Sequence, residues 1–421
     1  IDPDKAKKVV AENIIFQTCD GNIEQWQSRS GKKSDLGLLT HKDAIPWLVF
    51  CTAQITRKTG DLGLLDQRLP YKDSSETDSI FEHLVKAVRF AAADVGVHGL
   101  CLMGDGDWTD PLNGPGRKGK GESTWISMAL KVAADQLTTL AEARGDDAVA
   151  TEMRQLSQTL DNAVNTHCWD GEWYHYGYDD DGQIFGSHQN AQGQIFLNAQ
   201  TWAIISGCAK GERLKAVRQS LKRLHTDVGP CLLNPLFREY DPQVGKISAK
   251  YPGTSENGSV YCHASMFAAY AYALIGSGDE AVDTVLRTLP DSPDNPNARE
   301  GQAPIWLPNF YFGDTESPNF GQSSGWHHTG SAPWMFLVLH EQILGIQADW
   351  DGLHVNPCLP ADWKTCSCTR TFKGARYDIQ IHNPNGQQEG TINITVNGEK
   401  LTGTLLPYRP NTHYQVDITL R

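Results

Sequence analysis

The sequence predicts a mainly α chain that ends in a small all-β unit. Ten segments with the helical period of apolar residues follow one another up to about residue 345. The connections between successive pairs are long and unusually rich in Gly, Trp, Tyr, Asn and Asp. Beyond residue 346 the period changes to strict alternation, the mark of strands with one buried face. The expected division is therefore 1–345 helical and 346–421 β.

The segments read in order as Pro3–Gln17, Asp43–Thr59, Ser79–Asp94, a helix opening at about Trp125, Ala148–Asn165, Asn198–Cys208, Glu212–Arg223, Cys262–Ile275, Asp279–Arg287 and Ser331–Leu344. The fourth is the clearest: Trp125, Met128, Ala129, Val132, Leu137 and Leu140 share one face, and Gly145 stops it. Asp179-Asp-Asp-Gly182 resembles part of a calcium loop, but no glutamate follows at the required spacing. It reads as a hairpin turn between Tyr174–Tyr178 and Gln183–Phe185. In the last part Tyr377, Ile379 and Ile381, then Ile392, Ile394 and Val396, then Tyr414, Val416, Ile418 and Leu420 form strands, with turns at Asn383–Gly386 and Asn397-Gly398. A small sandwich is expected.

A chain of 421 residues with a formal charge of -13 is long enough for a large core and too acidic for a nucleic-acid binder or an anionic membrane surface. No apolar run approaches the roughly 18 residues of a membrane span. Ten cysteines without a CxxC pair read as reduced thiols of a cytoplasmic protein. Cys366 and Cys368 lack the second ligand pair that zinc needs, and no metal site is expected. The opening Ile-Asp-Pro, without Met or an apolar signal segment, reads as a processed or truncated start.

The stretch Gly104-Asp-Gly-Asp-Trp-Thr-Asp110, followed by a glycine-rich basic loop, concentrates the chemistry. Gly114-x-x-x-x-Gly119-Lys120 has the spacing of a phosphate loop, but Gly121 stands where Ser or Thr would hold magnesium, and no strand–helix alternation surrounds it. As oxygen ligands, Asp105, Asp107 and Asp110 suit a calcium loop only loosely. A sugar site explains more. An indole offers a flat face to a sugar ring, carboxylates bind hydroxyls, and crowded acids raise one another's pKa as a general acid requires.

With Gly99–Asp110, Gly119-Lys-Gly-Glu-Ser123, Tyr251-Pro-Gly-Thr-Ser-Glu-Asn-Gly-Ser-Val-Tyr-Cys-His263 and His328-Thr-Gly-Ser-Ala332 in this order, the chain resembles the inverting disaccharide phosphorylases of the cellobiose and chitobiose phosphorylase family. The resemblance implies an (α/α)6 barrel followed by a jelly-roll-like β-sandwich, with the barrel's first helices and the family's N-terminal sandwich absent. It implies Asp110 as general acid and Trp108 in the glycosyl subsite. His263, Thr329 and Gly330 would hold phosphate, which is co-substrate and nucleophile; no cofactor is implied. The reaction would turn a β-1,4-linked glucosyl disaccharide into α-D-glucose 1-phosphate with inversion. For the full-length protein it implies a homodimer.

Two departures bear on the acceptor sugar. Ser255 stands where the family usually has Lys, and Asn309 where it commonly has Gln. Lys246 and Lys250 appear at positions that would line the acceptor subsite with Glu256 and Asn309, and a lysine in a sugar pocket calls for an anion. Gluconate is then the acceptor and cellobionate the substrate, as in the cellobionic acid phosphorylases of the same family. The alternatives are a cellobiose phosphorylase, an inverting hydrolase using Glu256 as base at roughly 6.5–9.5 Å from Asp110, or a non-catalytic carbohydrate-binding fragment.

Overall fold

The computed structural model describes residues 2–23, 41–297, 306–325 and 329–421. Its helices are α1 Pro3–Ile14, α2 Ala44–Thr59, α3 Ile80–Ala93, α4 Thr124–Arg144, α5 Asp147–His167, α6 Leu197–Ile205, α7 Gly211–Leu221, α8 Cys262–Leu274, α9 Gly278–Arg287 and α10 Ser331–Leu337. Every segment of helical period thus forms a helix. The ends are set by local chemistry: Ser79 and Glu82 close a capping box on α3, Ser123 caps α4, and Gly60 and Gly145 end α2 and α4 in left-handed conformation. Leu337 passes into a π-helical turn, Val338–Ile343, in place of the last α turn expected there.

The helices form two layers. The even-numbered ones touch in sequence, α2 on α4, α4 on α6, α6 on α8 and α8 on α10. Stacked rings of Phe50 and Trp334, 5.3 Å apart, bring α10 back to α2. Nearly every residue of α6 and α8 is buried, and most of α4. By contrast α5, α7 and α9 bury a single stripe each, so they form the outer layer.

Trp47 of α2 is the hub of the inner layer. Its ring lies within about 6 Å of Trp125 (6.0 Å), Trp202 (5.6 Å), Phe267 (6.2 Å) and Trp334 (6.1 Å), which come from α4, α6, α8 and α10. Aromatic pairs at these separations are favourable beyond their buried area, so one plug ties all five helices together.

The secondary structure switches at Ile346. A three-stranded sheet contains Ile346–Asp349, Gly352–Val355 and Leu405–Leu406. A five-stranded sheet runs in the order Thr365–Phe372, Ala375–His382, His413–Leu420, Ile392–Val396, Glu399–Leu401. Three of these strands are the alternating ones. The register aligns Ile379 with Val416 and Ile381 with Ile418, so the buried rows coincide. The Ile346–Val355 hairpin and the edge strand Thr365–Phe372 carry weaker alternation. Asp279 at the start of α9 accepts the Ala361 N–H and pairs with Gln388, fixing the β unit to the helices. No described helix is long and apolar enough to cross a membrane.

The Asp179–Gly182 turn is a hairpin, joining Gly177–Tyr178 to Ile184–Phe185. It also explains the basic loop. The Asp180 carboxylate accepts the backbone N–H groups of Lys118 (2.6 Å), Lys120 (2.8 Å) and Gly121 (3.0 Å), and Asp181 pairs with Lys118. A loop with phosphate-loop spacing does cradle an anion, and the anion is this side chain.

Candidate active site

The motif Gly104–Asp110 precedes α4 and meets His41 ahead of α2 and His263 at the start of α8. Its two C-terminal aspartates face opposite ways. Asp107 is fully buried and accepts from Thr109 N (2.9 Å), Ser123 Oγ (2.8 Å) and the Tyr176 hydroxyl (3.1 Å). It pins the loop to the start of α4. Burial pushes its pKa up to about 6, against the pull of those hydrogen bonds. Asp110 is 64% exposed. Crowding does not select the exposed acid: of the motif's acids it is the buried anchor Asp107 whose pKa is raised, and desolvation is the larger cause.

Asp110 meets a partner that the motif does not contain. His41 Nδ1 lies 3.1 Å from Asp110 Oδ1, and the imidazole is only 3% exposed. Burial lowers the His41 pKa, but the Asp110 acceptor and the charges of Asp110, Asp43 and Asp107 outweigh it, and the net shift is upward. Gly106, at φ +145°, lies flat on this ring; a Cβ there would sit 3.2 Å from His41 Nε2. The second glycine of the motif is thus the one that lets the loop close on His41. Asp43 is buried, its pKa raised by that burial, and accepts from Trp47 Nε1 at 3.0 Å.

Trp108 lies deeper. Its indole Nε1 donates to His263 Nδ1 at 3.3 Å, and its ring meets Tyr261, His263 and Phe267 edge-on at 5.1, 5.4 and 5.7 Å. His263, in the first turn of α8, is pushed down to about 3 by burial, so its imidazole is neutral. Its Nε2 is buried with no partner among the described residues. Gly330 packs on the ring so closely that a Cβ would stand 2.8 Å from Nε2. Thr329 precedes it, with Oγ1 2.5 Å from Ser331 Oγ. The fold therefore gathers Trp108, His263, Thr329 and Gly330. His328 and Trp326, from the same stretch and the loop before it, lie outside the described residues.

The other named residues form a second group. The turn Gly245–Ala249 is bolted to the segment after Asp110: Ile247 N donates to Pro111 O (2.9 Å) and Lys246 N to Asn113 Oδ1 (3.0 Å). Lys246 is exposed. Lys250 Nζ donates to Glu256 Oε2 at 2.5 Å, with Lys250 half-buried and Glu256 buried. This pairing occupies the carboxylate that an inverting hydrolase would need as a free base. Asn257 ties the region together, bonding to Phe237 and Lys250 backbone groups.

Tyr261 links the two groups. Its strand, Val260–Tyr261, pairs with Phe310–Tyr311, and the backbone carbonyl of Asn309 accepts the Cys262 N–H beside it at 3.0 Å. Burial raises its pKa, and the charges of Glu256 and Asp110 raise it further, so the phenol lies within the field of both carboxylates. Sequence reading passed over His41, Asp43 and Tyr261. The available signal was polar residues immediately ahead of an apolar helix, at His41-Lys-Asp43 and at Tyr261 itself.

The site thus sets an exposed carboxyl backed by a buried histidine near an indole that meets a neutral, buried imidazole. Residues 6–345 match the Glycosyl hydrolase 94 superfamily, catalytic domain, and the chain belongs to that family. It is 45% identical over 421 residues to a 3-O-beta-D-glucopyranosyl-beta-D-glucuronide phosphorylase from Paenibacillus borealis, covering 100% of this chain and 55% of the relative. It is 36% identical to a solabiose phosphorylase from the same organism, covering 96% and 52%. To a cellobionic acid phosphorylase of Neurospora crassa it is 31% identical, covering 90% and 48%. The chain thus spans about half the length of these relatives. Among solved structures, a family 63 mannosylglycerate hydrolase from Thermus thermophilus shares the fold with a TM-score of 0.57 at 14% identity, covering 80% of this chain and 89% of that one.

Proposed function

We propose that this chain is the catalytic part of a disaccharide phosphorylase, with the helical layers forming an (α/α)6 barrel and Asp110 as its general acid. Asp110 would protonate the glycosidic oxygen while inorganic phosphate attacks the anomeric carbon from the opposite face, giving α-D-glucose 1-phosphate with inversion. Phosphate takes the place of the base-activated water of an inverting hydrolase, so one acid suffices. The observation that carries this reading is the gathering of His263 and Gly330 beside Trp108, with Thr329 next in the chain, while Glu256 is paired with Lys250.

The acceptor on this reading is a sugar acid. On this reading Lys250, which pairs with Glu256, would line the acceptor side with Asn309, and Lys246 stands exposed on the adjoining turn. Cellobionate, with gluconate as acceptor, satisfies a cation there. The 45% identical relative supports a second reading, a glucosyl-β-1,3-glucuronide, whose acceptor also carries a carboxylate. The test runs the reverse reaction from α-D-glucose 1-phosphate with gluconate, glucuronate, glucose and N-acetylglucosamine. Preference for either acid supports an anionic acceptor and chooses between the two, whereas preference for glucose makes the protein a cellobiose phosphorylase. Sugar release from disaccharide without phosphate would overturn phosphorolysis altogether.

A further inference from the structure

An indole N–H can only donate, so the imidazole nitrogen it meets must be the unprotonated one. Trp108 Nε1 lies 3.3 Å from His263 Nδ1. In a neutral ring with Nδ1 as acceptor, the single proton is on Nε2. Nε2 is buried without a partner among the described residues, whereas Gly330 packs on the ring about the Cε1 atom between the two nitrogens, where a Cβ would stand 2.6 Å from Cε1, 2.8 Å from Nε2 and 2.9 Å from Nδ1. A buried N–H with no acceptor is destabilising in the free protein, a cost relieved when an acceptor arrives.

We propose that Trp108 is a positioning residue for the anion, holding His263 in the Nε2–H tautomer so that its one proton is on the nitrogen left free to meet it. The proposal rests on the phosphate site described above but assigns a separate role to the tryptophan, whose ring would serve the glycosyl unit. The same side chain then couples the two substrates: its face offers a platform to the sugar, and its edge sets the proton that phosphate receives. A protonated imidazole could not accept from the indole at all, and burial keeps this one neutral across the working range. Phe267 at 4.6 Å and Trp334 at 6.1 Å crowd the ring's other sides, so its orientation is fixed by packing and by this one hydrogen bond.

The test is Trp108→Phe, which keeps an aromatic face and removes the N–H. Long-range nitrogen–carbon-proton NMR of histidine-labelled protein, with the His263 signals assigned by comparison with His263→Gln, reads the tautomer directly. The wild type should show Nδ1 as the acceptor nitrogen and Nε2 as the protonated one, unchanged down to about pH 5. Trp108→Phe should shift the Nδ1 signal away from its hydrogen-bonded position or mix the tautomers. It should also raise the phosphate KM by about two- to tenfold, the range of one lost hydrogen bond, with a smaller change in disaccharide KM. A proton on Nδ1 in the wild type, or His263 signals identical in the variant, overturns the proposal. If the signals change as expected but neither protein consumes disaccharide with phosphate, the positioning role stands and the phosphorylase reading falls.

Discussion

The imidazole of His41 and the carboxylate of Asp110 stand 3.1 Å apart, the first almost wholly buried and the second open to solvent. The contact spans two parts of the chain that sequence reading treats separately, a helix start and a glycine-rich loop. It backs the exposed carboxyl from its buried side. Three carboxylates, Asp43, Asp107 and Asp110, act electrostatically on this one ring.

Asp110→Asn should lower phosphorolysis by about 10²–10⁴-fold, because an amide cannot donate an acidic proton. The disaccharide KM should stay within roughly tenfold, since most sugar contacts lie elsewhere. Steady-state kinetics with phosphate decide this; near-normal turnover would remove Asp110 from the mechanism.

The raised pKa of His41 fixes the sign of a pH effect. The folded protein holds this proton more tightly than the unfolded chain, so the ion pair stabilises fully below the ordinary imidazole value and is lost as pH rises through the folded one. The difference in thermal midpoint between wild type and His41→Asn should therefore be largest at about pH 6 and shrink in alkaline buffer. A gap independent of pH would show that His41 is not the protonated partner.

Asp107 is a structural anchor with three donors. Asp107→Ala should leave them buried without an acceptor and cost about 1–3 kcal/mol, read from urea unfolding. Asp107→Asn should cost less at neutral pH: as pH rises from the ordinary carboxylate range through about 6, the buried carboxyl must ionise, which destabilises the wild type and not the amide. Equal losses in the two variants would contradict the anchoring role.

Lys250→Ala should reduce kcat/KM for a carboxylated acceptor at least about tenfold, since truncating one member of a buried charge pair typically costs about 2–5 kcal/mol. It also leaves Glu256 buried and unpaired, so stability falls as well. Combining Lys250→Ala with Glu256→Gln should recover the thermal midpoint without recovering preference for the acid. If the single variant keeps that preference over neutral sugars, Lys250 does not bind the acceptor carboxylate.

The helices, the Gly145 stop and most of the alternating strands of the last part could be read directly, because they follow from periodicity and chemistry within a few residues. The exposed Asp110 and the indole beside it stood out for the same reason, as a short motif entering a helix. What the tertiary structure decided depends on contacts across long stretches of chain. Asp107 and Asp110, alike in sequence, are separated by Ser123 and Tyr176 burying one and His41 meeting the other. Trp47 and Trp334 could have been ordinary core residues of separate helices until the ring of inner helices brought them together. The proton on His263 was decided last, by an indole 155 residues away, because which nitrogen of an imidazole carries it depends entirely on what the other nitrogen meets.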